Sequence, residues 1–491
     1  MRSPTTGAAR RTGTSRAGTA LPLAVLLAAP ALAQADATIV NNLVPALSRD
    51  LQASVAESQL AISSYLFSYA VLLITCARLG QTYGFARLFA GGVAAFGAAS
   101  LACGLAPNAG VLIVARAVQG AGAAMMAPQT LTGVQLLFSG AARARALGWY
   151  TVAVAGGAVI GQVFGGLLVA GDVAGIGWRV AFLVNVPLCA VLVLVARRVL
   201  PIMISEVVPV RALLRVVDLP GVAALSATLL LLLVPLTLGP AAGWPVWALL
   251  SLTAVPATAW LFWCSQRRDN TDQRVRLVAL APLAHRPVAA GLLALLLAGS
   301  AYYGLLFVLA QYVQDGLHRG ALISALTLVP WVLAFASAGY VSRLLPPSWA
   351  PRLPPLGYLL LALAFLAVAV NAASTRGLGW VALLLFAVGG FGTGLGFTGL
   401  LAHLSRSVST RYAADISGAT TTTLQVGGAL GVTCWGSVYA AGSASAPPSA
   451  FAATVTGLAA AAAAASAAAY WATRPDQKDH SDAEACQSCP G

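Results

Sequence analysis

The chain has 491 residues, of which 59% are hydrophobic and only 9% are charged, and its formal net charge is +14. A soluble globular chain carries roughly 25% charged residues, so this chain has too few to cover a folded surface and reads as an integral membrane protein. The basic residues lie thinly between apolar runs and form no single patch, which argues against nucleic-acid binding as the reason for the positive charge.

A membrane-spanning helix needs about 20 mainly apolar residues. Fourteen stretches meet this requirement, and we therefore predict an all-α integral membrane protein with fourteen transmembrane helices. They lie near residues 20–47, 58–79, 86–106, 109–137, 147–170, 179–200, 218–239, 243–264, 287–313, 320–345, 355–372, 377–404, 414–440 and 449–472.

The first stretch has two interpretations. Arginines within residues 10–16, the apolar run from Leu21 and the tripeptide Ala31-Leu32-Ala33 are together typical of a cleaved signal peptide. The apolar pattern, however, continues to Leu47, and cleavage would leave thirteen spans. We therefore favour an uncleaved first helix.

The basic residues are distributed unequally between the two sides of this arrangement. With the N-terminus inside, 23 of the 28 basic residues fall in cytoplasmic segments, and one, Arg116, falls within the fourth span. The other four, in outer segments, are Arg49, Arg179, Arg319 and Arg376. The positive-inside rule predicts this asymmetry. We expect a multi-pass protein of the cytoplasmic membrane with both termini in the cytoplasm.

The sequence lacks the motifs of several membrane-protein classes. Its only lysine, Lys478, follows Gln477, so no Gly-Lys-Ser/Thr phosphate-binding loop is present. No span carries the paired aspartates that would hold magnesium, and no zinc-ligand spacing occurs. We therefore predict no enzyme activity, no cofactor and no metal site, and we assign no role to the pair Cys486 and Cys489.

Two charged residues lie deep within predicted spans, namely Asp36 in the first and Arg116 in the fourth. A charge at the bilayer centre costs about 2.5–3.5 kcal/mol on insertion scales, so such residues are functional candidates. Either the pair is a static salt bridge that fixes helix packing, or Asp36 is a proton-responsive carboxylate biased by the arginine. Burial and a neighbouring cation act on a carboxylate in opposite directions, which suits a group that gains and loses a proton.

Further polar and small residues occur within the spans. As candidates for a substrate cavity we take Asn41, Tyr65, Gln119, Gln129, Gln162, Tyr302, Gln311 and Gln425. For each of them, a satisfied hydrogen bond between helices is an equally good interpretation. Gly157, Gly161 and Gly165 repeat at four-residue spacing in the fifth span, which indicates close helix packing, a gating role, or both.

The order of these spans and several motifs resemble the major facilitator superfamily, and within it the fourteen-helix drug:proton antiporters. Asp36-Ala-Thr-Ile-Val-Asn41 resembles the first-helix motif of that branch, and residues 116–124 resemble its fourth-helix motif. The resemblance links Arg116 to proton coupling. Trp178-Arg-Val-Ala-Phe-Leu-Val-Asn-Val-Pro187 is also typical of the branch.

Two motifs depart from the pattern of the family. The loop after the second helix reads Ala77-Arg-Leu-Gly-Gln-Thr-Tyr-Gly84-Phe-Ala-Arg87 and keeps Gly84 and Arg87, while Gln81 replaces its acidic residue. The resemblance implies a weaker latch on the cytoplasmic side. In the fifth helix Gly161-Gln162 stands in place of Gly-Pro before Gly165-Gly166, so the glycines remain and the kink is in doubt.

The resemblance implies two six-helix bundles, residues 20–200 and 287–472, with two inserted helices in residues 201–286. Residues 1–19 would be a cytoplasmic arm and residues 473–491 a disordered cytoplasmic tail. We expect a monomer in the lipid bilayer that exports a small hydrophobic or amphipathic compound in exchange for protons. The alternatives are uptake of a small nutrient by the same fold and a membrane receptor that transports nothing.

Overall fold

The structure, a computed structural model, describes residues 16–171, 176–201, 218–239, 242–267, 285–375, 377–407, 413–443 and 446–474. All regular elements among these residues are helical. The α-helices among them are α1 (Arg16–Leu51), α2 (Val55–Tyr83), α3 (Phe85–Gly104), α4 (Ala109–Leu137), α5 (Gly140–Gly171), α6 (Val180–Leu183), α7 (Asn185–Val199), α8 (Leu219–Leu238), α9 (Val246–Arg267), α10 (Arg286–Gln311), α11 (Ala321–Thr327), α12 (Val329–Leu344), α13 (Leu353–Thr375), α14 (Trp380–Arg406), α15 (Ala413–Ser443) and α16 (Pro447–Thr473). The Cys486–Cys489 pair lies outside the described residues.

These helices make fourteen membrane crossings, as predicted. Among the described residues, 13 segments are long and apolar enough to span a membrane, with α6 and α7 forming one of them and α11 and α12 another. The remaining crossing is α15, which has 31 residues but a lower hydropathy because threonines, glycines and Gln425 interrupt it. These polar residues are tolerated because α15 packs between α2, α10 and α16.

Local sequence explains where the helices of the first half begin and end. Ser54 and Glu57 form a reciprocal capping box at the start of α2, and the Asn108 side chain caps α4. The single residue Gly84 joins α2 to α3 with φ of 88°, a left-handed conformation that favours glycine. Arg87 lies exposed on the first turn of α3.

The helices form two groups that meet along a long interface. Helices α1 to α7 pack mainly among themselves, and so do α10 to α16. The two groups touch where α1 meets α10, where α2 meets α15, and where α5 meets α11 and α12. Helices α8 and α9 pair with each other at the edge, and α8 also contacts α2 and α15.

Polar contacts tie the two groups together near the ends that carry Arg49 and Arg179. The Asn42 side-chain oxygen accepts a hydrogen bond from Ser324 of α11 at 3.1 Å, and its backbone carbonyl accepts one from Gln314 at 3.1 Å. Near the middle of the interface Thr422 donates to the Ala70 carbonyl at 3.2 Å. These bonds span the interface that a rocking motion of the two groups would have to change.

Candidate functional site

The structure brings Asp36 and Arg116 together in a buried ion pair. Arg116 Nη1 contacts Asp36 Oδ2, although the two residues are 80 positions apart in the chain. Asp36 is 2% exposed and Arg116 is fully buried. Sequence analysis named both residues as the charges within the spans, and their contact shows that each serves as the counter-charge of the other.

Three further side chains complete a hydrogen-bonded network around this pair. Asp36 Oδ1 accepts from Gln119 Nε2 at 2.8 Å and from Asn185 Nδ2 at 3.0 Å. Gln119 also accepts from Arg116 at 2.6 Å and donates to Ser100 at 2.7 Å. We call these five residues the ion-pair network. It joins α1, α3, α4 and α7 through groups that satisfy both carboxylate oxygens.

The arginine is held by the backbone and by an aromatic ring as well. Arg116 Nε donates to the Ala61 carbonyl of α2 at 3.2 Å, and its guanidinium lies 4.3 Å from the centre of the Tyr65 ring. The Tyr65 hydroxyl in turn donates to the Ala33 carbonyl of α1 at 3.2 Å. Removing one partner of a buried ion pair costs about 3–5 kcal/mol, so this part of the bundle is sensitive to neutralisation.

A cavity lies between the two groups of helices, on the other side of α1 from the ion-pair network. Gln34 faces this cavity. It precedes Asp36 by two residues, which correspond to a rotation of about 200° around the helix, so the two side chains point to nearly opposite sides of α1. The cavity has a volume of about 130 Å³ and opens into a wider space of about 750 Å³ that includes its mouth. The lining residues are Gln34, Val154, Ala158, Ala298, Tyr302, Tyr303, Trp331, Val332, Phe335, Tyr358, Thr393, Phe397 and Leu424.

The cavity wall is mainly aromatic. The rings of Tyr302 and Trp331 are stacked with centres 6.2 Å apart, and Tyr302 meets Tyr303 edge to face at 5.1 Å. Phe335 and Phe397 lie 6.3 Å apart. Such a wall offers large contact areas and few fixed charges, which suits flat or amphipathic molecules.

The structure places most of the predicted cavity residues outside this cavity, and their contact with substrate stays a prediction. Of the eight candidates only Tyr302 lines the cavity. Gln119 and Tyr65 belong to or support the ion-pair network, while Gln311 lies half-buried at the end of α10 and Gln425 is buried on α15. The physical reason is that most of these polar side chains inside the membrane bond to a neighbouring helix or to their own helix instead of facing an open space.

The other three candidates illustrate this reason. The Asn41 side chain donates to the Ala37 and Thr38 carbonyls of its own helix, both at 3.3 Å. Gln129 donates to the Cys76 carbonyl of α2 at 2.8 Å, and Gln162 donates to Asn42 at 3.4 Å.

The glycines of α5 lie where α5 packs on neighbouring helices. A side chain at Gly157 or Gly161 would meet backbone atoms of α1, at Ala31 and Ala35 respectively. A side chain at Gly165 would come within 2.7 Å of the Ile39 side chain. Gly166 faces α11 of the other group, where an added Cβ would lie 2.5 Å from the Ala325 Cβ. The stripe therefore sits at contacts within the first group and between the groups.

Several residues of the site were not singled out by sequence analysis. Asn185 belongs to the Trp178–Pro187 motif. The sequence analysis identified this motif as typical of the family but assigned no role to Asn185. Ser100 carries no signal, because a lone serine in a span is ordinary. Trp331 and Tyr358 lie in strongly apolar runs of the second half, where only their aromatic rings distinguish them.

Comparison with known proteins gives the family. The sequence profile of the Major Facilitator Superfamily matches residues 26–432. The probable actinorhodin transporter of Streptomyces coelicolor is 32% identical over 421 residues, which are 85% of this chain and 72% of that protein. The cephamycin export protein CmcT of Amycolatopsis lactamdurans is 32% identical over 455 residues, which are 89% of this chain and 88% of that protein.

A solved structure supports the same fold. The inward-facing, occupied structure of a bacterial homologue of the human lysosomal transporter Spinster is similar with a TM-score of 0.60 at 17% identity. The similarity covers 95% of this chain and 99% of the other. At this identity the likeness concerns the fold alone. Together with the family profile and the exporter relatives, it confirms the predicted family: the chain belongs to the major facilitator superfamily.

Proposed function

We propose that the chain exports small hydrophobic or amphipathic compounds across the cytoplasmic membrane in exchange for protons. The names of its relatives support export, since one is a probable actinorhodin transporter and another a cephamycin export protein. A proton gradient supplies enough energy, because one charge that crosses 100 mV is worth about 2.3 kcal/mol.

The observation that carries the proposal is the placement of α1 between the two candidate sites. Asp36 points into the ion-pair network on one side of this helix, and Gln34 faces the aromatic cavity on the other. When Asp36 binds a proton, its bond to Arg116 weakens and the packing of α1 changes. A shift or rotation of α1 then alters the cavity wall, which couples proton binding to substrate binding.

Alternating access would be a rocking of residues 20–200 against residues 287–472, with the inserted helices α8 and α9 at the edge. The cavity at their interface supports this movement, as do the bonds from Asn42 to Ser324 and Gln314. We propose that these bonds close one end of the pathway and break when the cavity opens to the outside.

The proposed orientation of the chain is testable with reporter fusions. We expect both termini in the cytoplasm, because the arginines concentrate at the helix ends on that side. A phosphatase that is active only outside the cytoplasm should be inactive when fused after Thr473 and active when fused in the segment between α3 and α4. Activity of the fusion after Thr473 would contradict the orientation.

The export function is tested by expressing the chain in a host that lacks its own drug pumps. We expect the host to tolerate higher concentrations of at least one hydrophobic or amphipathic antibiotic than a host that makes equal amounts of the Asp36→Asn variant. If the chain instead takes up these compounds, the host that makes the parent chain should be more sensitive than the host that makes Asp36→Asn. If it is a receptor that transports nothing, the two hosts should be equally sensitive. Either of these two results across a broad panel would contradict the proposed function.

A further inference from the structure

The cavity contains two buried hydrogen-bond donors that have no partner among the described residues. They are Nε1 of Trp331 and the hydroxyl of Tyr358, which are 1% and 0% exposed. A buried polar group without a partner costs about 1–3 kcal/mol. Both side chains line the cavity, and we take a molecule bound there as the source of the missing partners.

Of the other polar groups in the wall, the Thr393 hydroxyl donates to the Gly389 carbonyl at 2.8 Å, whereas the Gln34 amide and the hydroxyls of Tyr302 and Tyr303 can both donate and accept. The indole of Trp331 can only donate a hydrogen bond. Its missing partner must therefore be an acceptor, such as a carbonyl oxygen.

Among the described residues, the wall offers no charged side chain to a ligand. Asp36 is only two residues away from the lining residue Gln34 in the sequence. Its carboxylate, however, points to the other side of α1 and accepts hydrogen bonds from Arg116, Gln119 and Asn185. A permanent cation would find no carboxylate to compensate it in this wall.

The two donors are held at fixed positions along α14. A Cβ at Gly389 would lie 2.7 Å from the Trp331 ring, and a Cβ at Gly396 would lie 2.6 Å from the Tyr358 ring. Each ring thus rests on a glycine of α14, which limits its movement. Trp331 is also stacked on Phe365 with ring centres 5.7 Å apart. The two donors therefore keep their places in the wall, which favours a rigid, planar ligand over a flexible one.

We propose that this cavity binds neutral, planar, multi-ring compounds with carbonyl oxygens, which accept hydrogen bonds from Trp331 and Tyr358. The stacked aromatic wall contacts the faces of the rings, and the two donors fix the orientation of the ligand. The inference rests on the proposed function in that it names the substrate class of the same cavity.

Binding of a matched pair of probes to the purified full-length protein tests this inference. Anthraquinone carries two carbonyl oxygens on a three-ring system, and anthracene has the same rings without them. In equilibrium dialysis with labelled probes we expect anthraquinone to bind more tightly than anthracene. Tyr358→Phe should weaken anthraquinone binding about tenfold and leave anthracene binding unchanged, because it removes only the hydroxyl. Trp331→Phe also reduces the aromatic area, so it should weaken anthraquinone binding about tenfold and anthracene binding less.

Tyr340→Phe is the matched control, because Tyr340 is on α12 but 68% exposed, and it should bind both probes as the parent does. Tyr358→Phe removes a single oxygen atom, so the packing of the ring on Gly396 is kept and elution as a single species verifies the fold. Equal binding of the two probes, or unchanged anthraquinone binding by both variants, overturns the inference. Tighter binding of the aromatic cation tetraphenylphosphonium than of anthraquinone overturns it as well.

The dialysis experiment needs no ion gradient, so its result is independent of export. If the probes are distinguished as expected but the chain confers no tolerance on the host, the substrate class stands and the proposed function fails. If the chain exports a compound while both variants bind anthraquinone as the parent does, the function stands and the substrate class fails.

Discussion

Replacing Asp36 with asparagine is expected to abolish export against a substrate gradient while the protein still binds substrate. Asparagine has nearly the same shape but cannot titrate. Its amide nitrogen loses one bond of the ion-pair network if it faces Arg116 and two if it faces Gln119 and Asn185. The measurement is proton-driven transport into inverted membrane vesicles, normalised to the amount of protein. We expect accumulation to fall to the level of vesicles without the protein.

A double variant separates proton coupling from a purely structural role of the ion pair. Asp36→Asn alone leaves the charge of Arg116 buried without compensation, at a cost of about 3–5 kcal/mol. Combining it with Arg116→Gln removes both charges and should restore the amount of folded protein. If the pair only fixes helix packing, this double variant transports; if Asp36 carries the proton, it remains inactive.

Two further variants define the controls for Asp36. Asp50→Asn removes an exposed carboxylate of the same helix that also pairs with an arginine, Arg179. Exposed pairs contribute about 0–1 kcal/mol, so this variant should transport as the parent does. Arg116→Lys keeps the charge but loses the planar group that donates to Asp36 and Ala61, and it should be impaired. Undiminished uphill transport by Asp36→Asn would assign coupling to another residue or ion.

The fold was predictable because the bilayer imposes a simple rule on the sequence. Each crossing must be a helix of about 20 apolar residues, and the predicted stretches agree with the observed helices within several residues. Among the described crossings only α15 departs from the rule in composition. Several of its threonines and glycines contact neighbouring helices. Two details were not predicted. Helix α1 begins at Arg16, and the sixth span is divided into α6 and α7 at Val184. Both depend on local packing, about which hydropathy gives no information.

The ion pair was visible in the sequence because charges inside spans are rare. Asp36 and Arg116 stood out for this reason alone, and each needed a partner. Asn185 and Ser100 were not visible, because amides and hydroxyls are frequent in membrane helices. Their part in the network depends on how α3 and α7 are rotated against α1, which a single sequence does not specify.

The residues that line this cavity were hard to predict for a related reason. A polar side chain in a span either faces a substrate or bonds to a helix, and the sequence left both interpretations open. In the structure Gln129 and Asn41 donate to backbone carbonyls, and Gln162 donates to Asn42. The proposed export of apolar compounds calls for an apolar wall, and aromatic rings line this cavity. Clusters of aromatic residues in the second half, including Trp331 and Tyr302, would have been the better signal.

Replacing Gly161 with leucine is expected to abolish transport while part of the protein remains in the membrane. The Cβ of any side chain at this position would meet the Ala35 carbonyl and would lie 2.6 Å from the Ala35 Cα. These are backbone atoms, so α1 itself must move away from α5, and Ala35 directly precedes Asp36. Overpacking of this kind costs about 1–3 kcal/mol, and here it displaces both the ion-pair network and Gln34 of the cavity.

The same helix provides a graded series that tests this explanation. Gly156→Leu is the matched control, because a Cβ at Gly156 has no atom within 4 Å among those described, and it should transport as the parent does. Gly165→Ala should be milder than Gly161→Ala, since its nearest contact, at 2.7 Å, is the Ile39 side chain, which can rotate. The measurement is vesicle transport per amount of protein, together with the elution profile of each purified variant. Equal activity of Gly161→Leu and Gly156→Leu would mean that transport does not depend on the close contact of α1 with α5, and the assignment of the glycine stripe would be wrong.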